Sequence, residues 1–328
     1  MKTRKTSNIK NKIEFVPVFK SSFLRPKYWF SWLVISFLIC MSMLSVKIRD
    51  PILNVLGKLI SKLAKNARRR ARINLYYCLP ELNEVQREQI IENMFSTALQ
   101  AIVMMVELAL YNSKNLRKRI EWYGREIIDA LKNKKENVIF LVPHGWSVDM
   151  PAMLLASEGK MMAAMFHHQS DLLIDYLWNT IRRRFGGRMH ARKDGIKPFV
   201  NSIRQGYYGY YLPDQDYGTE NSEFVDFFAT YKATLTVLGR LMKVCHACIV
   251  PMFPVYNSMT HRLEIYVRPA MNDLLSADNK TLARRVNEEI EKFVRPFPEQ
   301  YTWVLKLLKT RKQGEIEPYA RNDLYPLK

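Results

Sequence analysis

Glycine is scarce in this chain, 12 in 328 residues, and cysteine is scarcer still, at 4. Four cysteines over such a length cannot form a disulfide scaffold, which points to a reducing compartment. There is no collagen-like or low-complexity tract and no internal repeat. With 48% hydrophobic and 12% aromatic residues the chain is too apolar to stay disordered. It is long enough for one large domain or two modest ones. Acid is also in short supply: 51 Lys and Arg stand against 31 Asp and Glu, a formal charge of +20. That excess asks for a polyanionic partner, whether nucleic acid, anionic lipid or an acidic protein. No G-x-S-x-G elbow and no Gly-rich nucleotide fingerprint occur.

The amino terminus narrows the choice. Residues 1–27 hold Lys2, Arg4, Lys5, Lys10, Lys12, Lys20, Arg25 and Lys27 against one acid, Glu14. Residues 28–46 then run without a charge. As a helix these 19 residues reach about 28 Å, roughly one hydrocarbon thickness, with Tyr28, Trp29 and Trp32 at the leading end where an aromatic belt sits. A cleaved signal peptide fits less well, given the long basic segment and the lack of an A-x-A-like exit. Residues 47–115 follow as a basic, helical region. Within it Ile52, Leu53, Leu56, Leu59, Ile60, Leu63 and Ala64 recur at helical spacing between lysines, as in an interfacial amphipathic helix. Both flanks of the apolar run are basic, so the positive-inside rule gives no orientation.

Residues 116–328 alternate helical and strand patterns, which predicts an α/β fold with a covered, mostly parallel sheet. Val138–Val142 is a continuous β-branched run suited to a buried strand. Further strands are expected at 160–166, 207–212, 248–256 and 262–268. One or two helices, rich in Met and Leu, are expected at 84–110, and single helices at 125–132, 150–157, 172–184, 198–205 and 279–294.

The chemical signal follows the first strong strand, in Pro143-His144-Gly145-Trp146-Ser147-Val148-Asp149. On a regular helix His144 and Asp149 would lie about 140° apart. They can meet if His144 stands on the strand-to-helix turn and Asp149 begins the helix, a break that Gly145 and Pro151 favour. A carboxylate on one imidazole nitrogen fixes the tautomer and leaves the other nitrogen as a base. Spacing alone makes H-x4-D a weak pattern, since a histidine at a strand end is often structural.

The run VIFLVPHGWSVDMPAMLL (138–155) resembles the H-x4-D/E motif of the lysophospholipid acyltransferase superfamily, and more closely the late acyltransferases of lipid A biosynthesis. The resemblance extends through RRRFGGRMHARKDGIKPF (182–199), YLPDQD (211–216), FVDFFATYKAT (224–234) and PEQYTWVLKLLKTR (298–311), and back to KIRDP (47–51) and RRRARINL (68–75). Nearly the whole chain is covered. It implies a glycerolipid-acyltransferase-like sheet and a membrane-anchoring amino-terminal region in a bacterial inner membrane, with the site facing the cytoplasm. It implies that His144, oriented by Asp149, takes the proton from a hydroxyl on an acyl chain of a Kdo2-lauroyl-lipid A precursor. That oxygen attacks the thioester of an acyl group on acyl carrier protein, with no acyl-enzyme and no cofactor. The branch it resembles most implies myristoyl; lauroyl or palmitoleoyl fits the residues equally well.

Family resemblance also singles out Arg182 and Asp214, while Arg188 and Arg192 of the same basic run suit phosphate or carboxylate groups by bidentate hydrogen bonding. A second reading takes Asp214 and Asp216 as the metal-binding D-x-D of a membrane glycosyltransferase, but leaves H-x4-D without a role. A third, a non-catalytic basic protein on membrane or nucleic acid, is disfavoured because the charge is spread along the chain, so no nucleic acid is expected. Cys245-His246-Ala247-Cys248 lacks a second ligand pair, and His167-His168 reads as a strand-end pair, so no metal ligands are assigned.

Overall fold

In the computed structural model residues 14–112, 114–131 and 136–326 are described. Lys2, Arg4, Lys5, Lys10 and Lys12 of the basic segment, and Lys132 at the end of an expected helix, lie outside them.

Helix α1 (Trp29–Met43) occupies the uncharged run but is shorter than it. Its 15 residues reach about 22 Å, less than a full hydrocarbon thickness. The serines that interrupt the run explain its placement: Ser31 and Ser42 are buried, and Ser31 Oγ donates to Asp171 at 2.6 Å. Trp29, Phe30 and Leu33 face outward.

Helix α2 (Val46–Leu63) and α3 (Lys65–Cys78) break at Ala64, the last of the apolar residues expected to form an amphipathic helix. The polarity of α2 is the reverse of a soluble helix. Arg49, Asp50, Leu53, Gly57 and Ser61 are buried, while Ile48, Ile52, Val55, Leu59 and Leu63 point outward. The arginines of α3 turn inward. Arg69 donates to the carbonyls of Tyr319 and Tyr325, Arg70 to that of Val304, and Arg68 and Arg72 pair with Glu88. Carbonyls of the carboxyl-terminal segment thus find their donors in α3.

Helix α4 (Glu84–Leu110) opens with an Asn83/Gln86 capping box and is mostly buried, so its apolar length belongs to the core. It packs along α2 and beside α1. After α5 (Lys114–Arg117) come β1 (Ile120–Tyr123), α6 (Arg125–Leu131), β2 (Asn137–Leu141), α7 (Met150–Ser157), β3 (Met162–Phe166), α8 (Leu172–Arg182), β4 (Arg188–Ala191), α9 (Lys197–Arg204) and β5 (Tyr208–Tyr211). The chain continues through β6 (Ser222–Phe227), β7 (Thr230–Leu235), α10 (Val237–Cys245), β8 (Ala247–Asn257), β9 (Arg262–Val267) and α11 (Asn279–Val294).

Seven strands form one sheet in the order β1-β9-β8-β2-β5-β3-β4, all neighbours parallel except β8 and β9. Strands β6 and β7 form a separate antiparallel hairpin. The mostly parallel α/β sheet is the expected fold. Two apolar cores cover it: α3, α9, α10 and α11 contribute to one, and α6, α7 and the carboxyl-terminal half of α4 to the other. Strand β2 is central and buried throughout its last four residues, as its continuous apolar run requires. From β2 the chain leaves towards β3 on one side, while β8 pairs on the other. A crevice therefore opens beyond the carboxyl end of β2, the usual ligand position in such sheets.

Candidate active site

Strands β2 and β5 are parallel neighbours, with Leu141 opposite Tyr211. The ladder runs one residue further, Val142 N–H donating to Tyr211 O at 2.9 Å. Three residues beyond each strand end stand His144 and Asp214, so the same register that aligns the strands aligns the two side chains. His144 Nδ1 and its backbone N–H both engage the Asp214 carboxylate, the latter at 2.7 Å. The His144 carbonyl accepts from Thr302 N–H and Oγ1 at 2.9 and 2.7 Å. Gly145 bridges to Tyr301; a Cβ at Gly145 would meet the Phe253 ring at 2.9 Å, which is why this turn needs glycine. The segment PEQYTW therefore clamps the histidine turn; its Tyr301 and Trp303 are fully buried, and burial together with the neighbouring Asp214 carboxylate pushes the Tyr301 hydroxyl well above its ordinary range.

Asp214 is itself fully buried, and Lys232 of β7, equally buried, donates through Nζ to its main-chain carbonyl. Burial would push the Asp214 carboxyl up, but the His144 ring and the Lys232 ammonium outweigh it and hold the group below the usual carboxylate range. Burial pushes the Lys232 ammonium down, against the pull of Asp214 and Asp216.

Here the structure corrects a pairing. Asp149 does precede α7, as its spacing required, but its carboxylate turns to Arg182 rather than to the imidazole. Arg182 Nε and Nη2 grip it at 2.8 and 3.0 Å, and Trp178 Nε1 adds a third donor at 3.1 Å. Among the described residues no hydrogen bond joins His144 and Asp149. The reason is the sheet: β5 brings a carboxylate to the ring from the neighbouring strand, while α8 brings a guanidinium to Asp149. Asp214, singled out by the family resemblance without a role towards the imidazole, is the residue that holds His144.

His144, Asp149, Arg182, Arg188 and Arg192 all line one groove of about 860 Å³. Its remaining wall includes apolar side chains such as Met153, Met162, Phe166 and Leu212. Arg192 lies 3.8 Å from the centre of the Tyr217 ring and is half-buried. Burial pulls its guanidinium below the ordinary arginine range. Arg188 stacks on Tyr207 at 4.2 Å and sits 3.9 Å from Glu14. The D-x-D reading finds no shared centre. Asp216 accepts from Gly218 N–H and from Thr310 N–H and Oγ1, fastening the carboxyl-terminal segment, whereas Asp214 serves His144. His246 is a left-handed cap between α10 and β8, and His168 Nδ1 faces Asp175 at 2.7 Å just past the end of β3.

Lys232 and Thr302 escaped sequence reasoning. Both lie in motifs that resemble the family's, FVDFFATYKAT and PEQYTW, but nothing in a linear pattern says which atom each one reaches.

Comparison with known proteins agrees with the geometry. The family model for bacterial lipid A biosynthesis acyltransferases matches residues 16–310. The lipid A biosynthesis myristoyltransferase of Escherichia coli (strain K12) is 60% identical, covering 97% of this chain and 99% of that one. A lipid A biosynthesis acyltransferase of Haemophilus influenzae (strain ATCC 51907 / DSM 11121 / KW20 / Rd) is 47% identical over 90% of this chain and 93% of its own. The lipid A biosynthesis lauroyltransferase of E. coli is 28% identical, covering 93% and 99%. An α/β sheet with a histidine groove at the end of its central strand, matched over nearly its whole length, belongs to an acyltransferase, and this chain is a member of the bacterial lipid A biosynthesis acyltransferase family.

Proposed function

We propose that this acyltransferase moves a myristoyl chain from acyl carrier protein to the hydroxyl of an acyl chain on a Kdo2-lauroyl-lipid A precursor, completing hexa-acylated lipid A in lipopolysaccharide biosynthesis. Support for myristoyl comes from the 60% identity to a myristoyltransferase against 28% to a lauroyltransferase. The observation that carries the chemistry is the groove-lining His144 ring held through Nδ1 by buried Asp214.

With Nδ1 engaged by the carboxylate, the lone pair of Nε2 takes the acceptor hydroxyl proton. The oxygen attacks the thioester carbonyl carbon, and the tetrahedral intermediate collapses by breaking the C–S bond. The carrier's thiolate leaves and recovers the proton from the imidazolium. Such a base contributes about 10²–10⁴ in rate. Arg182, fixed bidentately by Asp149, presents a rigid donor to the oxyanion or to a substrate phosphate. Arg188 and Arg192 receive the phosphates and sugar-acid carboxylates of the acceptor.

The outward apolar residues of α1 and α2 rest in the inner membrane, with the groove on the cytoplasmic side where the donor is found. Helix α1, backed by α4, dips into the bilayer rather than standing alone across it. The test is mass spectrometry of lipid A from cells lacking this protein, complemented with wild type or His144→Ala. Wild type restores the species heavier by one myristoyl group and His144→Ala does not; restoration by both, or a different mass increment, overturns the reading.

A further inference from the structure

Helices α9 (KPFVNSIR) and α10 (VLGRLMKVC) contain no acidic residue. Their four cations, Lys197, Arg204, Arg240 and Lys243, are all exposed. Among the described residues no carboxylate pairs with any of them, whereas Arg284, Arg285 and Lys292 of α11 each meet an acid. Asp194 lies on the turn before α9, Glu223 lines the groove, and Asp273 sits on the short 3-10 turn packed against α10, where it pairs with Arg285; among the described residues none of them pairs with these four cations.

The helices lie side by side and bury Phe199, Ile203, Leu238 and Leu241 in one core, which fixes their other faces outward. Lys197 and Arg204 are seven residues apart, two turns along one face, or about 10 Å. Arg240 and Lys243 occupy adjoining turns. One end of this double row is at the groove: Arg240 lines it, as do Gly195 and Ile196 just before Lys197. The far end of α10 reaches the start of β2, where Asn137 Nδ2 donates to Cys245 O at 2.6 Å. Unneutralised like charges in rows oppose helix stability slightly, and a face that merely solvates the fold gains nothing from them.

We infer that the α9–α10 face is the docking surface for an acidic carrier protein, which lays a carboxylate-bearing helix along the two rows and delivers its thioester arm into the groove beside Arg240. This rests on the carrier-bound donor proposed above. A membrane is the poorer occupant, because interfacial helices anchor through apolar side chains and Val244 is the one large apolar residue these helices expose. Charge pairing of this kind governs encounter and register.

The experiment compares wild type with Lys197→Glu/Arg204→Glu/Lys243→Glu, using myristoyl-acyl carrier protein and the neutral donor myristoyl-N-acetylcysteamine. The variant loses at least 100-fold in kcat/KM with the carrier, mainly through KM, and its rate no longer falls steeply with salt. Its rate with the neutral donor is unchanged, which also certifies the fold; the triple Gln variant repeats the comparison with milder charge loss. Equal losses with both donors, or no loss with the carrier, overturn the docking surface. Weaker binding to phosphatidylglycerol vesicles with an unchanged carrier KM assigns the face to the membrane and overturns it too. If wild type accepts the neutral donor and not the carrier, the proposed donor itself is wrong, a result separable from failure of the surface alone.

Discussion

His144 and Asp214 stand 70 residues apart in the chain and three residues past facing positions on neighbouring strands, and the ring and the carboxylate meet there. The aspartate five residues from His144 is spent on Arg182 instead.

Asp214→Asn should therefore cost about 10³–10⁴ in kcat with little change in KM, as when the orienting carboxylate of a histidine base becomes an amide. Asp149→Asn should act through Arg182, with a smaller loss in kcat and a larger rise in acceptor KM. Steady-state kinetics of the two variants with one carrier-bound donor separates the roles; identical profiles would refute the division.

The same carboxylate sets an acid dependence of stability. Asp214 has a folded pKa below its ordinary value of about 3.9, so the unfolded chain binds the proton more readily. Its contribution is present above that ordinary value and is lost as pH falls through the folded one. In urea titrations wild type should exceed Asp214→Asn in midpoint at pH 7, and the gap should narrow as pH drops below about 4. A gap independent of pH would show that the carboxylate's charge is immaterial.

Gly57 of α2 lies against Ser96 of α4, where an added Cβ would meet Cα at 2.5 Å and N at 2.6 Å. Gly57→Ala must push two helices apart, and should destabilise by about 1–3 kcal/mol, read as a lower Tm in detergent. An unchanged Tm would mean that the helix pair yields freely.

Arg49, fully buried, donates to Glu107 at 2.6 Å and reaches Asp50, which in turn holds Tyr256 Oη and His261 Nδ1 at 2.6 and 2.7 Å. This cluster fastens α2 to α4 and to the β8–β9 turn. Arg49→Met should cost about 1–3 kcal/mol, because it takes the buried guanidinium from Asp50 and Glu107, while Tyr256 and His261 still hold the first and Arg119 the second. Denaturant titration measures it.

Val55, Leu59 and Leu63 are 72%, 51% and 72% exposed, so they hold nothing in the protein. Changing all three to Glu should leave Tm nearly unaltered and weaken binding to anionic vesicles, each apolar side chain being worth about 2 kcal/mol when buried in lipid, while the outward Trp29, Phe30 and Leu33 of α1 keep part of the contact. Undiminished sedimentation with vesicles would show that α2 takes no part in the membrane contact.

The linear sequence carried what depends on local period and chemistry. The apolar β-branched run 138–142 read as a buried strand, the Met- and Leu-rich stretch 84–110 as one or two helices, and the uncharged run with its aromatic edge as a membrane helix; the structure has a strand, one long capped helix and a largely outward-facing apolar helix there. Ordered motifs carried the family. The β6–β7 hairpin went unread because its turn uses Phe228, at φ +52°, in place of glycine or asparagine, and short β4 was hidden inside an arginine cluster. Tertiary structure alone decided the partners. Strand order and register brought Asp214 to His144, α8 swung Arg182 onto Asp149, and burial of α2's polar side turned its apolar residues outward. Hydrogen bonds and ion pairs form between whichever groups the packing of sheet and helices brings within about 3 Å, and separation along the chain has no say in that.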